Sequence, residues 1–268
     1  MSSQSDLAKR IGRGSFGEVY SVVDLPLAVK MVLVDGNSEL LAKDYQMHQA
    51  VFNVLNRDST LLFSTPQPYA LHIPSTKSIA THIRSLYFPA SQKTGPNLCR
   101  LYFGRALQPF PANSLDPLKT ERPRKFFNSN NFPIDLEHYK RLRRVLGANL
   151  LPSPEEIIKA MGQTLALIHH SSQYDGRDIE FVLGGDGSGN AACWILDYNQ
   201  MRPWDKTANE ISSLCASFFH NDPYYPRPDP TDSLYLAFKR SYQEQVQENN
   251  RPLAEQFFDA LEVMWATR

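Results

Sequence analysis

The sequence predicts an α+β fold in two lobes, a small β-rich N-terminal lobe and a mainly helical C-terminal one. Three observations predict it. A glycine-punctuated stretch, Gly12-Arg13-Gly14-Ser15-Phe16-Gly17, is followed by β-like residues (Val19, Tyr20, Val22, Val23). Helical periodicity takes over after Ser153. Between the two regions, Pro109, Pro111 and Pro117 mark a linker. The division is drawn at residues 1–108 and 109–268.

The segment Ile11 to Tyr20 fits the pattern G-x-G-x-x-G-x-V. Glycines suit such a loop because the backbone must turn tightly and bring its N–H groups near phosphates. The residues after Gly17 read as strand, whereas a dinucleotide-binding fold needs a helix there. Next comes Leu27-Ala28-Val29-Lys30-Met31-Val32, an apolar strand with a lysine inside it. A lysine so placed is costly unless it has a partner. Loop, strand and lysine strand at this spacing resemble a protein kinase, so the fold expected is protein-kinase-like. Gly12, Gly14, Gly17 and Lys30 are the candidate substrate- or nucleotide-binding residues of this part, joined by Asn199 further on.

A helix is expected over 38–55. In a kinase it carries a glutamate that pairs with the strand lysine. Here that place holds Asp44, one methylene shorter, which reads either as a short partner for Lys30 or as an exposed helix residue. His48 reads as a core or surface histidine. Residues 60–108 read as short strands with proline breaks. The clearest is Leu98 to Phe103, expected to lead into the hinge between the lobes.

Composition narrows the function classes. The chain has 268 residues, 42% hydrophobic and 21% charged, with a formal net charge of zero. Neither DNA nor a membrane is therefore expected as a partner, and any polyanion must be met by a local patch. Cys99, Cys193 and Cys215 are far apart, and no CxxC or paired histidines complete a zinc pattern. Reduced thiols and a start without an apolar leader lead to a cytoplasmic expectation.

The window from Lys119 to Arg144 has eight basic residues against three acidic ones, net +5, with Phe126, Phe127, Phe132 and Tyr139 interleaved. Arg122, Arg124, Lys125, Lys140, Arg141 and Arg144 are its candidate RNA-contacting residues. A solvated helix face with core aromatics fits the same pattern. Ser153-Pro154-Glu155-Glu156 then opens a helix with a capping box. It runs to His169-His170. Adjacent residues on a helix point apart, so joint action by this pair is not expected. Two further helices are expected, Asp232 to Val246 and Pro252 to Trp265.

The candidate catalytic residues lie between these helices. Asp175, Asp178 and Glu180 fall within six residues, directly before the apolar run Phe181-Val182-Leu183. Asp197 ends the next run, Trp194-Ile195-Leu196. Read as strand, turn, strand, Asp175, Glu180 and Asp197 meet at the mouth of one hairpin. Acids clustered at the ends of buried strands repel one another and lose solvation. Such acids hold a metal, a cationic substrate or a proton in transit. A turn whose acids face water is the other reading. The interval from Asp175 to Glu180 equals that from a kinase's catalytic aspartate to its metal-binding asparagine. Asp197 then stands for the magnesium aspartate, in Asp-Tyr-Asn instead of Asp-Phe-Gly. No His-Arg-Asp or Ala-Pro-Glu accompanies them.

Several segments together carry a closer resemblance. They are Asn131-Phe132-Pro133, Met161 to Ala166, Asp175-Gly176-Arg177-Asp178-Ile179-Glu180-Phe181-Val182-Leu183-Gly184, Trp194 to Asn199, and Asp222-Pro223-Tyr224-Tyr225-Pro226-Arg227-Pro228. Together they resemble a fungal family long labelled a zinc-finger-like domain of unknown function, which includes the arginine-containing cyclodipeptide synthases of secondary metabolism. The resemblance implies condensation of arginine from arginyl-tRNA with a second aminoacyl group into a diketopiperazine. It implies no cofactor beyond the aminoacyl-tRNA co-substrates. Asp175, Asp178 and Glu180 would hold the guanidinium, Glu180 or Asp197 would deprotonate the attacking amine, and the basic window would meet the acceptor arm. Two alternatives stand beside it. One is an ATP- and magnesium-dependent small-molecule phosphotransferase with Glu180 and Asp197 on the metal. The other is a catalytically inactive kinase-like binding module.

Overall fold

The computed structural model describes residues 8–13, 17–22, 28–32, 38–58, 60–68, 98–107, 131–185 and 190–268. The chain is a mixed α and β protein. β1 (Ala8–Arg13), β2 (Gly17–Val22) and β3 (Ala28–Val32) form an antiparallel sheet in that order. Gly12 and Gly17 lie on these strands, and Gly14 falls outside the described residues. Lys30 stands opposite Val19. α1 follows at Ser38–Leu55, the span its sequence predicts.

A second sheet has five strands: β4 (Phe63–Ser64), β5 (Leu98–Tyr102), β6 (Asn131–Asp135), β7 (Glu180–Gly185) and β8 (Ala191–Leu196). Their order is β4-β8-β7-β5-β6. The β5–β7 and β7–β8 pairs are antiparallel, and β5–β6 and β4–β8 are parallel. Phe181, Val182 and Leu183 on the central strand β7 are buried on both faces, which is why that run does not alternate. β5, expected to lead into a hinge, is bonded on both sides within this sheet. Its pairing thus joins residues before the expected boundary to residues after it. The boundary itself, at 108/109, lies outside the described residues.

Five more α-helices follow among the described residues: α2 (Leu136–Leu146) and α3 (Pro154–Leu167), which pack on the sheet, then α4 (Ile211–His220), α5 (Ser233–Gln245) and α6 (Arg251–Ala266), of which α5 packs on α3 and α6 on α4 and α5. The capping box of α3 forms as its sequence predicts, with Ser153 Oγ accepting from Glu156 N–H and the Glu156 carboxylate accepting from Ser153 N–H. α3 and α5 cross closely at Gly162. A Cβ there would sit 2.4 Å from the Phe238 carbonyl oxygen. Phe218, Tyr225, Phe238, Phe257, Phe258 and Tyr242 build one aromatic core beneath these helices.

The end of α3 departs from expectation. The chain widens into a single π turn over Ile168–Ser172, closed by Gln173 at φ 60°. The extra residue in the turn rotates the two histidines toward a common partner. His169 Nδ1 and His170 Nε2 lie 2.8 and 3.0 Å from the Tyr242 hydroxyl. The separation expected from α-helical spacing is therefore corrected: both rings act on one tyrosine.

Candidate active site

The site begins with Lys30. Its Nζ donates to Asp44 Oδ2 at 2.8 Å and lies 3.9 Å from Asp197 Oδ1. Asp44 is buried, so of its two sequence readings the ion pair is the one observed. α1 also aligns His48, one turn on from Asp44, with the segment after β8. The His48 ring stacks on Tyr198 at 4.7 Å, and its Nε2 donates to the Pro66 carbonyl at 2.7 Å. Tyr198 is itself held, its hydroxyl donating to the Ile195 carbonyl at 2.6 Å. Asp197 is thereby fixed from both sides, and its backbone sits in the left-handed region at φ 65°.

Asp178 is the second acid of the site. It too is left-handed, at φ 63°, following Gly176 at φ 63°. For a non-glycine residue that conformation costs about 1–2 kcal/mol, and such costs concentrate at functional positions. The turn is held by Asn221. Its Nδ2 donates to the Gly176 carbonyl at 2.6 Å, and its Oδ1 accepts from Asp178 N–H at 2.5 Å. The Asp178 carboxylate accepts from Gln200 Nε2 and lies 3.8 Å from His220 Nε2.

The environment pushes both acids upward. Burial raises Asp197 to about 6, and the nearby Asp178 and Asp44 charges add to it, while Lys30 and Arg100 oppose. Burial likewise raises Asp178 above the usual carboxylate range, opposed by His220, Arg100 and Arg177. Asp178 and Asp197 are each roughly a third exposed, so both are reachable from solvent.

The other two candidate acids are already occupied by arginines of the chain. Asp175 is 5% exposed. Its Oδ2 accepts from Arg202 Nε at 2.7 Å and Ser217 Oγ at 2.8 Å, and its Oδ1 accepts from the Arg202 and Arg177 amides. The backbone reinforces this, with Asp175 N–H donating to the Arg202 carbonyl and Tyr174 bridging to Pro203. Asp175 thus precedes the hairpin, whose first residue is Glu180. Glu180 accepts from Arg100 with both oxygens, Nε at 3.1 Å and Nη2 closer still. The register explains the pair. Arg100 stands opposite Val182, and Glu180 lies two residues along on the same sheet face.

The remaining predicted residues spread more widely. Asn199 Oδ1 is buried with no hydrogen-bond partner among the described residues. Lys140, Arg141 and Arg144 are exposed on α2, and Lys140 pairs with Glu137. Tyr139 on the same helix is fully buried, so it packs the core and offers no stacking platform. Arg122, Arg124, Lys125, Phe126 and Phe127 lie outside the described residues. Sequence reasoning missed Arg100, Arg202, Ser217, Asn221, Gln200 and His220. Only Arg202 and Asn221 had a signal, since each lies in a proline-rich stretch that reads as an ordered loop, 201–204 and 221–228.

Residues 193–251 match the model of family DUF3669, described as a zinc finger protein. No curated protein matches the chain. The donor chemistry in the matched span does not suit zinc. Cys193 and Cys215 are buried apart from each other, and burial pushes each thiol up to about 12, so neither is a thiolate. Among the described residues no three His, Cys, Asp or Glu side chains come together as a metal site. Nor is any described helix long and apolar enough to cross a membrane.

Proposed function

We propose that the chain is an arginine-using cyclodipeptide synthase on a two-lobed, protein-kinase-like scaffold, joining arginine from arginyl-tRNA to a second aminoacyl group. The observation that carries this reading is Asp197, raised to about 6 beside Lys30 and Asp178. A carboxyl tuned near neutrality is matched to taking a proton from an ammonium and returning it to a leaving alkoxide. In the first step the α-amine of one ester attacks the carbonyl of the other. Asp197 takes the amine proton, the C–N bond forms, the C–O bond breaks, and the proton goes to the ribose hydroxyl. The same exchange closes the ring and frees the second tRNA. No nucleotide is consumed, because the esters are already activated.

Asp178 receives the guanidinium of the arginyl group. It is the acid of the turn that no lysine or arginine of the described chain pairs within salt-bridge distance. Asp175 and Glu180 support the site through Arg202 and Arg100. Lys140, Arg141 and Arg144 offer a basic face to the acceptor arm, joined in sequence by Arg122, Arg124 and Lys125.

The Lys30–Asp44 pair favours a second reading, the ATP- and magnesium-dependent phosphotransferase. Against it stands Glu180. A metal shared by Glu180 and Asp197 would have to displace Arg100. Incubating the protein with arginyl-tRNA and a mixture of other charged tRNAs, then analysing products by mass spectrometry, separates the readings. Cyclic dipeptides containing arginine support the synthase. Their absence, with tight magnesium-dependent ATP binding by calorimetry, moves the assignment to phosphoryl transfer.

A further inference from the structure

We propose that Asn221 is a positioning residue that sets Asp178 against the cationic side chain of the substrate; this rests on the reading that Asp178 faces that side chain. One amide spans the whole turn. It donates to the carbonyl of Gly176 and accepts from the N–H of Asp178, the two left-handed residues that aim the carboxylate. Asn221 is 3% exposed, at the end of α4, and its Nδ2 also lies 3.3 Å from the Tyr225 hydroxyl. The asparagine side chain supplies a donor and an acceptor on one short planar group at this reach.

The segment that carries Asn221 is anchored at its far end to β5. The carbonyls of Pro223 and Tyr224 accept from Gly104 and Phe103 at the end of β5, at 2.8 and 3.2 Å. Gly104 is required for that approach, since a Cβ there would fall 1.9 Å from the Tyr225 carbonyl oxygen. β5 also carries Arg100, which holds Glu180. The stretch 221–225 therefore fixes the spacing between the Asp178 turn and the Arg100 strand. The groups facing Asp178 are His220 on α4, Gln200 after β8, Arg177 on the turn, Arg100 on β5, Tyr224 in the Asn221 segment and Asp197. Among the described residues none of their side chains is seen bonding the turn's backbone, so Asn221 acts on position and they act on charge.

Asn221→Ser removes the span while leaving a small polar group. The KM for arginyl-tRNA is expected to rise about tenfold, with the KM for the second aminoacyl-tRNA unchanged. A merely structural role would lower the amount of active enzyme and leave both KM values alone. Carbon-detected NMR of labelled aspartate gives a readout that needs no activity. The Asp178 carboxyl should titrate above the usual range in the wild type and return to it in Asn221→Ser, while Asp197 stays near 6. Should the variant fail to fold, amide exchange in the wild type decides: the Asp178 N–H must be protected. Exchange at the open-chain rate, or a folded variant with the Asp178 titration unmoved, overturns the proposal. A wild type that makes no cyclic dipeptide overturns the synthase reading instead and leaves the NMR result to judge Asn221.

Discussion

Arg100 holds both carboxylate oxygens of Glu180 across the β5–β7 pair. The pair is largely buried, and an ion pair in that setting is weak evidence of net stability. Removing one partner, however, strands the other. Glu180→Ala should lower stability by about 2 kcal/mol, less than a fully buried pair because Arg100 keeps some solvent. The double change Arg100→Met with Glu180→Leu should recover most of that, measured by urea unfolding. It should also retain product formation within about tenfold, since neither group touches substrate in this reading. A folded double variant with no activity would return Glu180 to the catalytic set.

Asp197 makes a prediction with a definite sign. Its folded value, about 6, lies above the ordinary carboxylate value, so the folded state favours the protonated form. The catalytic base is the ionised form. Activity should therefore rise about tenfold per pH unit below 6 and level off above it. Stability should run the other way, falling as pH rises through the same interval. Asp197→Asn should abolish the acid limb, lower the rate at least about 100-fold and flatten the stability change. A pH profile unaltered by the substitution would remove Asp197 as the base.

How far the sequence reaches is clear from particular residues. α1 and the capping box of α3 were legible because their signals are local: periodicity, Ser153, Pro154 and Glu156 within a few residues. The sequence set Asp175, Glu180 and Asp197 at one hairpin mouth; the hairpin does begin at Glu180, but Asp175 precedes it and Asp178 is the acid whose charge acts on Asp197. What was not legible depended on partners far away in the chain. Arg100 meets Glu180 across 80 residues, and Ser217 meets Asp175 across 42. No spacing rule announces such pairs. The sequence marks four acids alike, and only the fold separates the two that arginines neutralise from the two that stay available. The histidine pair was misread because an α-helical period was applied to a turn that is locally π.

His169 and His170 share the Tyr242 hydroxyl, which can donate to one ring and accept from the other, so both fit best as neutral imidazoles. Burial lowers both, His170 to about 4 and His169 well below its ordinary value, with His170 adding to the effect on His169. The unfolded chain takes up these protons at its ordinary histidine value and the folded chain resists. Stability should thus be complete above pH 6.5 and decline as pH falls toward 4. Tyr242→Phe leaves two ring nitrogens without their partner and should cost about 2 kcal/mol at pH 7. His170→Gln should weaken the acid dependence. Because Asp197 acts with the opposite sign over part of this range, the comparison is with the variant: an acid dependence of the melting temperature left unchanged by His170→Gln would show that the rings are charged or exposed in solution.

Asp175 and Asp197 are the sharpest contrast between support and chemistry. Asp175 has every oxygen engaged, by Arg202, Ser217 and two backbone amides, and is shielded from solvent. Asp175→Ala strands those donors and should cost about 3 kcal/mol. For a chain of this size that lowers the melting temperature by about 6–12 °C. Asp175→Asn keeps an acceptor for the two amides but turns an N–H group toward Arg202, so a smaller loss is expected. Assayed well below its transition, the Asp175→Asn protein should work within about tenfold of wild type, because no proton passes through this group. Asp197→Asn under the same conditions should not. A hundredfold loss in a fully folded Asp175→Asn protein, with substrate affinity intact, would reverse the two roles.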